Sequence, residues 1–302
     1  MFGRFGSTGL VLAAMGLALV GSGCNDSKLA AAPVATPTPP ADQPPIADIQ
    51  GATTWAPLAT ATFDGSGSHD PDGTITAYAW EITARPNGSV SAVTPTGTNG
   101  DQASFFVDLA GSYTIKLTVT DNSGNTGSAE LTFNVVPSQD LHVELEWPSQ
   151  YTKVDMDLHL LNETAGGSAS SLMWDTVKDC HWENCKPAFG EVLDWGATGV
   201  TADNPRLDID NIAESVPENI NIDTPANGKY HVCVHYWASH MSTDIPVDLI
   251  VTVYLGGSVA WTGTITLTTT NQVWDVGYVT WSNGAGTFTP SPANTIFMTT
   301  YI

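Results

Sequence analysis

Alternation with a period of two is what most narrows the folds open to this chain. From Ser112 to Thr120, Tyr113, Ile115, Leu117 and Val119 point one way while Thr114, Lys116, Thr118 and Thr120 point the other. From Ser128 to Val135 the pattern repeats, with Ala129, Leu131, Phe133 and Val135 opposing Ser128, Glu130, Thr132 and Asn134. A helix would scatter these apolar residues around its circumference, whereas a strand gathers them on one face that another layer must cover. Thr76, Tyr78, Trp80 and Ile82 form a further stripe, and Asp121 to Gly127 supplies the turn chemistry between the first two. Later, Leu141, Val143, Leu145 and Trp147 alternate with His142, Glu144 and Glu146, and Met156, Leu158 and Leu160 oppose Asp155, Asp157 and His159. Residues 229–236, 247–255, 260–267 and 273–279 also read as strands, and no stretch within residues 46–137 carries a convincing helical repeat. The fold class expected is all-β, and 302 residues suit two sandwiches better than one.

The N-terminal segment carries an address. Arg4 is the only charge before an apolar run from Leu10 to Val20, which is too short to span a bilayer and has the length of a signal-peptide core. Gly21-Ser22-Gly23 then leads into Cys24, which resembles a bacterial lipoprotein signal. That resemblance implies removal of residues 1–23, lipidation of Cys24 and attachment to the cell envelope, at the outer membrane or the cell surface. An ordinary secretory signal cut nearby, with Cys24 left free, is the competing reading. Residues 24–45 are an Ala/Pro/Thr-rich linker, extended and semi-rigid, suited to lifting folded domains off a membrane.

Residues 46–137 carry spaced motifs. Phe63-Asp-Gly-Ser-Gly-Ser-His-Asp-Pro-Asp-Gly-Thr-Ile75, Tyr78-Ala-Trp80 and Gly111-Ser-Tyr113 through Asp121 together resemble PKD domains. The resemblance implies an immunoglobulin-like β-sandwich used as a spacer or interaction module, so the full reading is two tandem immunoglobulin-like sandwiches after a signal peptide and linker. Trp80 would plug the space between sheets. Residues 140–282 are similar to the bacterial YfaP-type family, on Asp155-Met-Asp157-Leu-His159, Asn204 to Asp210, Pro217 to Ile220 and Gly228 to Tyr236. That family implies an exported sandwich-like domain and no mechanism. Residues 162–226 show weak periodicity and are expected as long loops, and the uncharged tail at 283–302 has no assigned place.

Nine Lys and Arg stand against 31 Asp and Glu, a net charge of −22. Such a surface repels phosphate backbones and makes nucleic acid a poor partner. Residues 140–282 hold 20 of the acids and 5 of the bases. Asp155 and Asp157 share a strand face, and Asp208 and Asp210 repeat that spacing. Neighbouring carboxylates with few basic partners suit a hard divalent cation, and Ca²⁺ fits an exported acidic loop site to which Glu218 could add a ligand. A solvated acidic face is the competing reading. His231, Cys233 and His235 share another strand face near His159 and could hold Zn²⁺ if strands brought them together; half-exposed histidines beside a core thiol would look the same.

Asp64, Asp70, Asp72 and Asp121 are read as capping their own turns rather than holding a cation. Cys180 and Cys185 bracket a short loop that a disulfide would staple in an oxidising compartment, with pairing of Cys233 to either one left open. Trp174, Trp182, Trp195 and Trp237 lie in or beside loops, where they could stack sugars or plug the loops onto the core. No Gly-x-Ser-x-Gly elbow or phosphate-binding glycine loop is present. The expected role is non-catalytic display of β-sandwich modules for binding or adhesion, with a surface protein or a glycan as ligand. The rivals are an accessory of a secreted hydrolase system and a purely structural envelope protein.

Overall fold

A computed structural model describes residues 41–148, 151, 153–164, 166–186, 193–210 and 217–300. The signal segment, Cys24 and the linker up to residue 40 lie outside them. Two layered units follow one another, as the alternating stripes require. In the first, one sheet has the order β1 (Gln50–Gly51), β3 (Thr60–Asp64), β6 (Gln102–Phe106), β5 (Thr94–Thr96). The facing sheet runs β2 (Thr54–Trp55), β8 (Thr126–Val135), β7 (Gly111–Asp121), β4 (Ile75–Ala84). This is an immunoglobulin-like arrangement, with β2 parallel to β8 and the other pairs antiparallel. Tyr113, Ile115, Leu117 and Val119 are fully buried, and Phe63, Phe105, Tyr113 and Phe133 pack ring against ring between the sheets. Each such side chain contributes about 1.5–3 kcal/mol by leaving water. Trp80 does fill the inter-sheet space, its Nε1–H donating to the Gly100 carbonyl at 2.9 Å. Tyr113 Oη lies 3.0 Å from the Leu109 carbonyl four residues upstream, the corner expected of such sandwiches.

The second unit also has two sheets. One runs β12 (Arg206–Ile209), β13 (Glu218–Ile222), β9 (Leu141–Glu146), β15 (Val247–Leu255), β16 (Ser258–Leu267). The other runs β11 (Asp179–Cys180), β10 (Asp155–Asn162), β14 (Gly228–Ala238), β17 (Gln272–Ser282), β18 (Ala285–Pro290), with β19 (Ile296–Met298) also on β17. Between them lie Leu141, Val143, Leu145, Met156, Leu158, Leu160, Val232, Val234 and Val251, all buried. The stretch expected as long loops contains β11, β12, β13 and a single turn of helix, α1 (Ala169–Leu172). The tail also acquires a place: β18 and β19 both bond to β17, so the sheet extends beyond residue 282. Among the described residues no helix is long and apolar enough to cross a membrane.

The outer face of the six-stranded sheet positions the candidate site. With Met156, Leu158 and Leu160 turned to the core, β10 must turn Asp155, Asp157, His159 and Leu161 outward. On β14, Tyr230, Val232 and Val234 go inward and His231, Cys233 and His235 outward. The antiparallel register sets Asp157 opposite His235, His159 opposite Cys233 and Leu161 opposite His231. The chain from α1 through Cys185 lies over this face, so its polar residues are buried.

Candidate functional site

Four of the five carboxylates singled out from the sequence come together. Ligand-capable oxygens of Asp155, Asp157 and Glu218 lie within 4.8 Å of one another, and all three residues are buried. Glu218 arrives from the other sheet and covers the open edge of β10, where the Leu158 N–H donates to its Oε2 at 2.8 Å. Asp210 lines the same cavity and pairs with Lys186. Asp208 goes elsewhere: it accepts from Asn221 Nδ2 at 2.6 Å and lies 3.8 Å from Arg206 Nε. The register of β12 on β13 shifts between Leu207 and Ile209, which breaks the alternation that the Asp-x-Asp spacing assumes.

Burial crosses with charge here. Asp155 is pushed up to about 6 by burial, with His240 opposing and Asp210 adding to the rise. Burial, then Asp155 and Asp210, drive Asp157 well above the usual carboxylate range. Its Oδ2 has no hydrogen-bond partner among the described residues. A divalent cation would relieve both the repulsion and the lost hydration.

A cavity of about 140 Å³ opens on this group, lined by Asp155, Asp157, Asp210, His240, Trp182 and Trp237. Trp237 stands there because Asp155 pairs with Ala238 and Met156 with Tyr236, which leaves Trp237 as the extra residue of a bulge. Trp174, at φ 67°, meets Trp237 at 5.7 Å between ring centroids, and Trp182 meets Trp237 at 6.1 Å. Trp195 is of the other kind: it is buried, stacks on Tyr230 and donates Nε1–H to the Val177 carbonyl. Of these four tryptophans, then, Trp195 plugs the core, Trp182 and Trp237 wall the cavity, and Trp174 packs against Trp237.

The histidines divide too. His159 and His235 meet on the sheet at 6.0 Å between ring centroids. His231 is engaged elsewhere, with Glu163 at 3.1 Å and Asp275 at 2.6 Å. Cys233 sinks into a small apolar cluster with Leu161, Leu172, Met173 and Val273, and its thiol is pushed well up by burial. Cys180 and Cys185 are joined as a disulfide, Cα to Cα 5.2 Å, and Cys233 is a buried free thiol. Sequence reasoning did not single out Asp179 and His181. Asp179 accepts from His159 Nδ1 at 2.9 Å and from the Trp174 N–H at 2.7 Å, and His181 stacks on His159. Their only sequence signal was adjacency to Cys180.

In the first unit, Asp64 accepts the Ser66 N–H, Asp70 the Asp72 N–H, and Asp121 the N–H groups of Ser123 and Asn125. These three carboxylates cap their own turns, as the sequence suggested, whereas Asp72 accepts the N–H of Gln43, 29 residues upstream, at 3.2 Å.

Comparison with known proteins bears on the first unit. The family model described as K319L-like, PKD domain matches residues 51–135. The crystal structure of the PKD1 domain of Vibrio anguillarum Epp is 31% identical, over 31% of this chain and 95% of that one, with a TM-score of 0.24. The solution structure of the PKD domain from the KIAA 1837 protein is 29% identical, over 30% of this chain and 83% of that one, at a TM-score of 0.25. A carbohydrate-binding module of the β-sandwich superfamily, studied for its promiscuous specificity, is 13% identical over 83% of this chain and all of its own, at 0.29. No curated protein matches the chain. With the motifs of the sequence, the family model and the sandwich in agreement, residues 51–135 of this chain belong to the PKD domain family.

Proposed function

We propose that the chain is a non-catalytic display protein of the bacterial cell envelope, anchored by lipid at Cys24 at the outer membrane or the cell surface. On this reading residues 24–45 are the stalk and the PKD domain is the spacer. The YfaP-like unit holds the ligand site. PKD domains are typically non-catalytic modules, which supports a binding role.

The observation that carries the reading is the cavity walled by Trp182 and Trp237 over Asp155, Asp157 and Asp210. Indole faces stack on the apolar C–H faces of sugar rings while carboxylates accept their hydroxyl protons, so the ligand class this cavity suits is a glycan. Ca²⁺ held by Asp155, Asp157 and Glu218 would neutralise the floor and fix its geometry. The test is a glycan array probed with the mature chain with and without Ca²⁺, alongside Trp182→Ala and Trp237→Ala. Binding lost in either tryptophan variant, and weakened in Asp155→Asn or Glu218→Gln, is expected. Binding that survives both tryptophan changes, or sugar turnover by the mature chain, would overturn the assignment. Radiolabelled palmitate should mark the wild-type chain and not Cys24→Ser.

A further inference from the structure

We propose that Asp157, His159 and His235 form a second cation site, for a divalent transition metal of the Zn²⁺ class, on the outer face of the six-stranded sheet. It goes beyond the calcium reading and does not depend on it, although Asp157 borders both groups. The ligand-capable atoms of these three residues lie within 4.8 Å of one another, and His235 Nδ1 is 3.9 Å from Asp157 Oδ2. All three side chains are buried, His159 and His235 completely.

The second observation is the state of their polar atoms. Both ring nitrogens of His235, Nε2 of His159 and Oδ2 of Asp157 have no hydrogen-bond partner among the described residues. A buried polar atom left unsatisfied costs about 1–3 kcal/mol, and here four such atoms belong to three neighbouring side chains. One cation would engage all three residues at once.

The surroundings are those of a metal-binding imidazole. His159 Nδ1 lies 3.0 and 2.9 Å from the two oxygens of Asp179. With Nδ1 turned to that carboxylate as a donor, Nε2 is the nitrogen left to bind a cation. Asp179 is itself held by the Trp174 N–H at 2.7 Å, and the Trp174 ring stands edge-on to both His159 and His235. Two imidazoles and one carboxylate are a nitrogen-rich set, which selects Zn²⁺ and its neighbours over Ca²⁺ or Mg²⁺. Cys233, directly across from His159, is packed in the apolar cluster, so the site has no thiolate.

The experiment uses the mature chain without a polyhistidine tag, stripped by chelator and titrated with Zn²⁺, then with Co²⁺ as a spectroscopic probe. One Zn²⁺ per chain is expected, together with visible Co²⁺ absorption and no sulfur charge-transfer band. His235→Gln and His159→Gln should abolish stoichiometric binding. Asp179→Asn, a change at a positioning residue, should weaken it by about 10–100-fold. Glu218→Gln, a change in the calcium group outside the three zinc ligands, should weaken Ca²⁺ binding far more than Zn²⁺ binding. Absence of stoichiometric Zn²⁺ binding, or unaltered affinity in a folded His235→Gln, would overturn the proposal. Should that variant not fold, imidazole ¹⁵N shifts of the wild-type chain decide: they must move for His159 and His235 on adding Zn²⁺, and unmoved shifts overturn it.

Discussion

Gly65 has no room for a side chain. A Cβ there would sit 2.7 Å from Leu117 Cδ2 and 2.9 Å from Trp80 Cζ2. The glycine of the Phe63-Asp-Gly65 motif is thus required by the tryptophan that fills the first sandwich. Gly65→Ala should displace that ring and destabilise the domain by about 1–3 kcal/mol, read as a lower urea midpoint with Trp80 fluorescence altered in the native baseline. At Cys233 burial disfavours the thiolate, and the apolar cluster blocks reagents. Native protein should therefore show no titratable thiol from Cys233 with a disulfide reagent, and one equivalent after unfolding. Rapid native labelling of Cys233 would contradict its place in the cluster.

The Cys180–Cys185 bridge closes a loop of six residues that carries His181 and Trp182 over the sheet. Chain-entropy arguments for so short a loop give about 2 kcal/mol. The double variant Cys180→Ser/Cys185→Ser should lose roughly that in thermal or urea unfolding, and its Trp182 emission should shift to the red as the loop loosens. The elements that hold the site were only partly legible in the sequence. The strands were, because inward stripes such as Met156, Leu158 and Leu160 are a local property of the chain. Their pairing was not: that Asp157 faces His235 depends on a register between segments about 80 residues apart. The convergence of Asp155, Asp157 and Glu218 rests on two sheets meeting at one edge, and no spacing announces that. Asp208 and Asp210 part company because the strand pairing slips at Asp208, between Leu207 and Ile209, and β12 ends before Asp210; a regular alternation cannot foresee a slip. The tail was illegible for another reason. Uncharged Thr- and Pro-rich text resembles a linker, and only the open edge of β17 turns it into strands.

Across the whole molecule, the two sandwiches meet through buried polar groups rather than a bare linker. The Ala110 N–H donates to Glu144 Oε1 at 2.8 Å, and His142 Nε2 lies 3.0 Å from the same oxygen. Gly88, at φ +86°, leaves room for the Glu146 carboxylate, which a Cβ there would meet at 2.7 Å. Burial, then Glu144 and Asp108, push Glu146 up from 4.5 to about 8, and His142, Tyr113 and Tyr254 stand in the same junction. Because the folded state holds this proton more tightly than the unfolded chain, its contribution is complete below about pH 4.5 and is lost as pH rises through about 8. The thermal midpoint should fall across that window, and Glu146→Gln should flatten the slope. An unchanged slope would show that Glu146 does not titrate as its surroundings require.

The parallel pairing of β2 with β8 has a mechanical corollary. The Asn134 N–H donates to the Thr53 carbonyl at 3.0 Å and the Val136 N–H to the Trp55 carbonyl at 2.8 Å, at the exit of the chain from the PKD domain and a few residues past the Ile46–His69 bridge and β1 that begin it. Tension applied between those two points loads the bonds in shear, so they must rupture together instead of unzipping singly. This patch should set the force at which the domain breaks: single-molecule stretching should give one dominant peak for the domain, lowered in Val136→Pro.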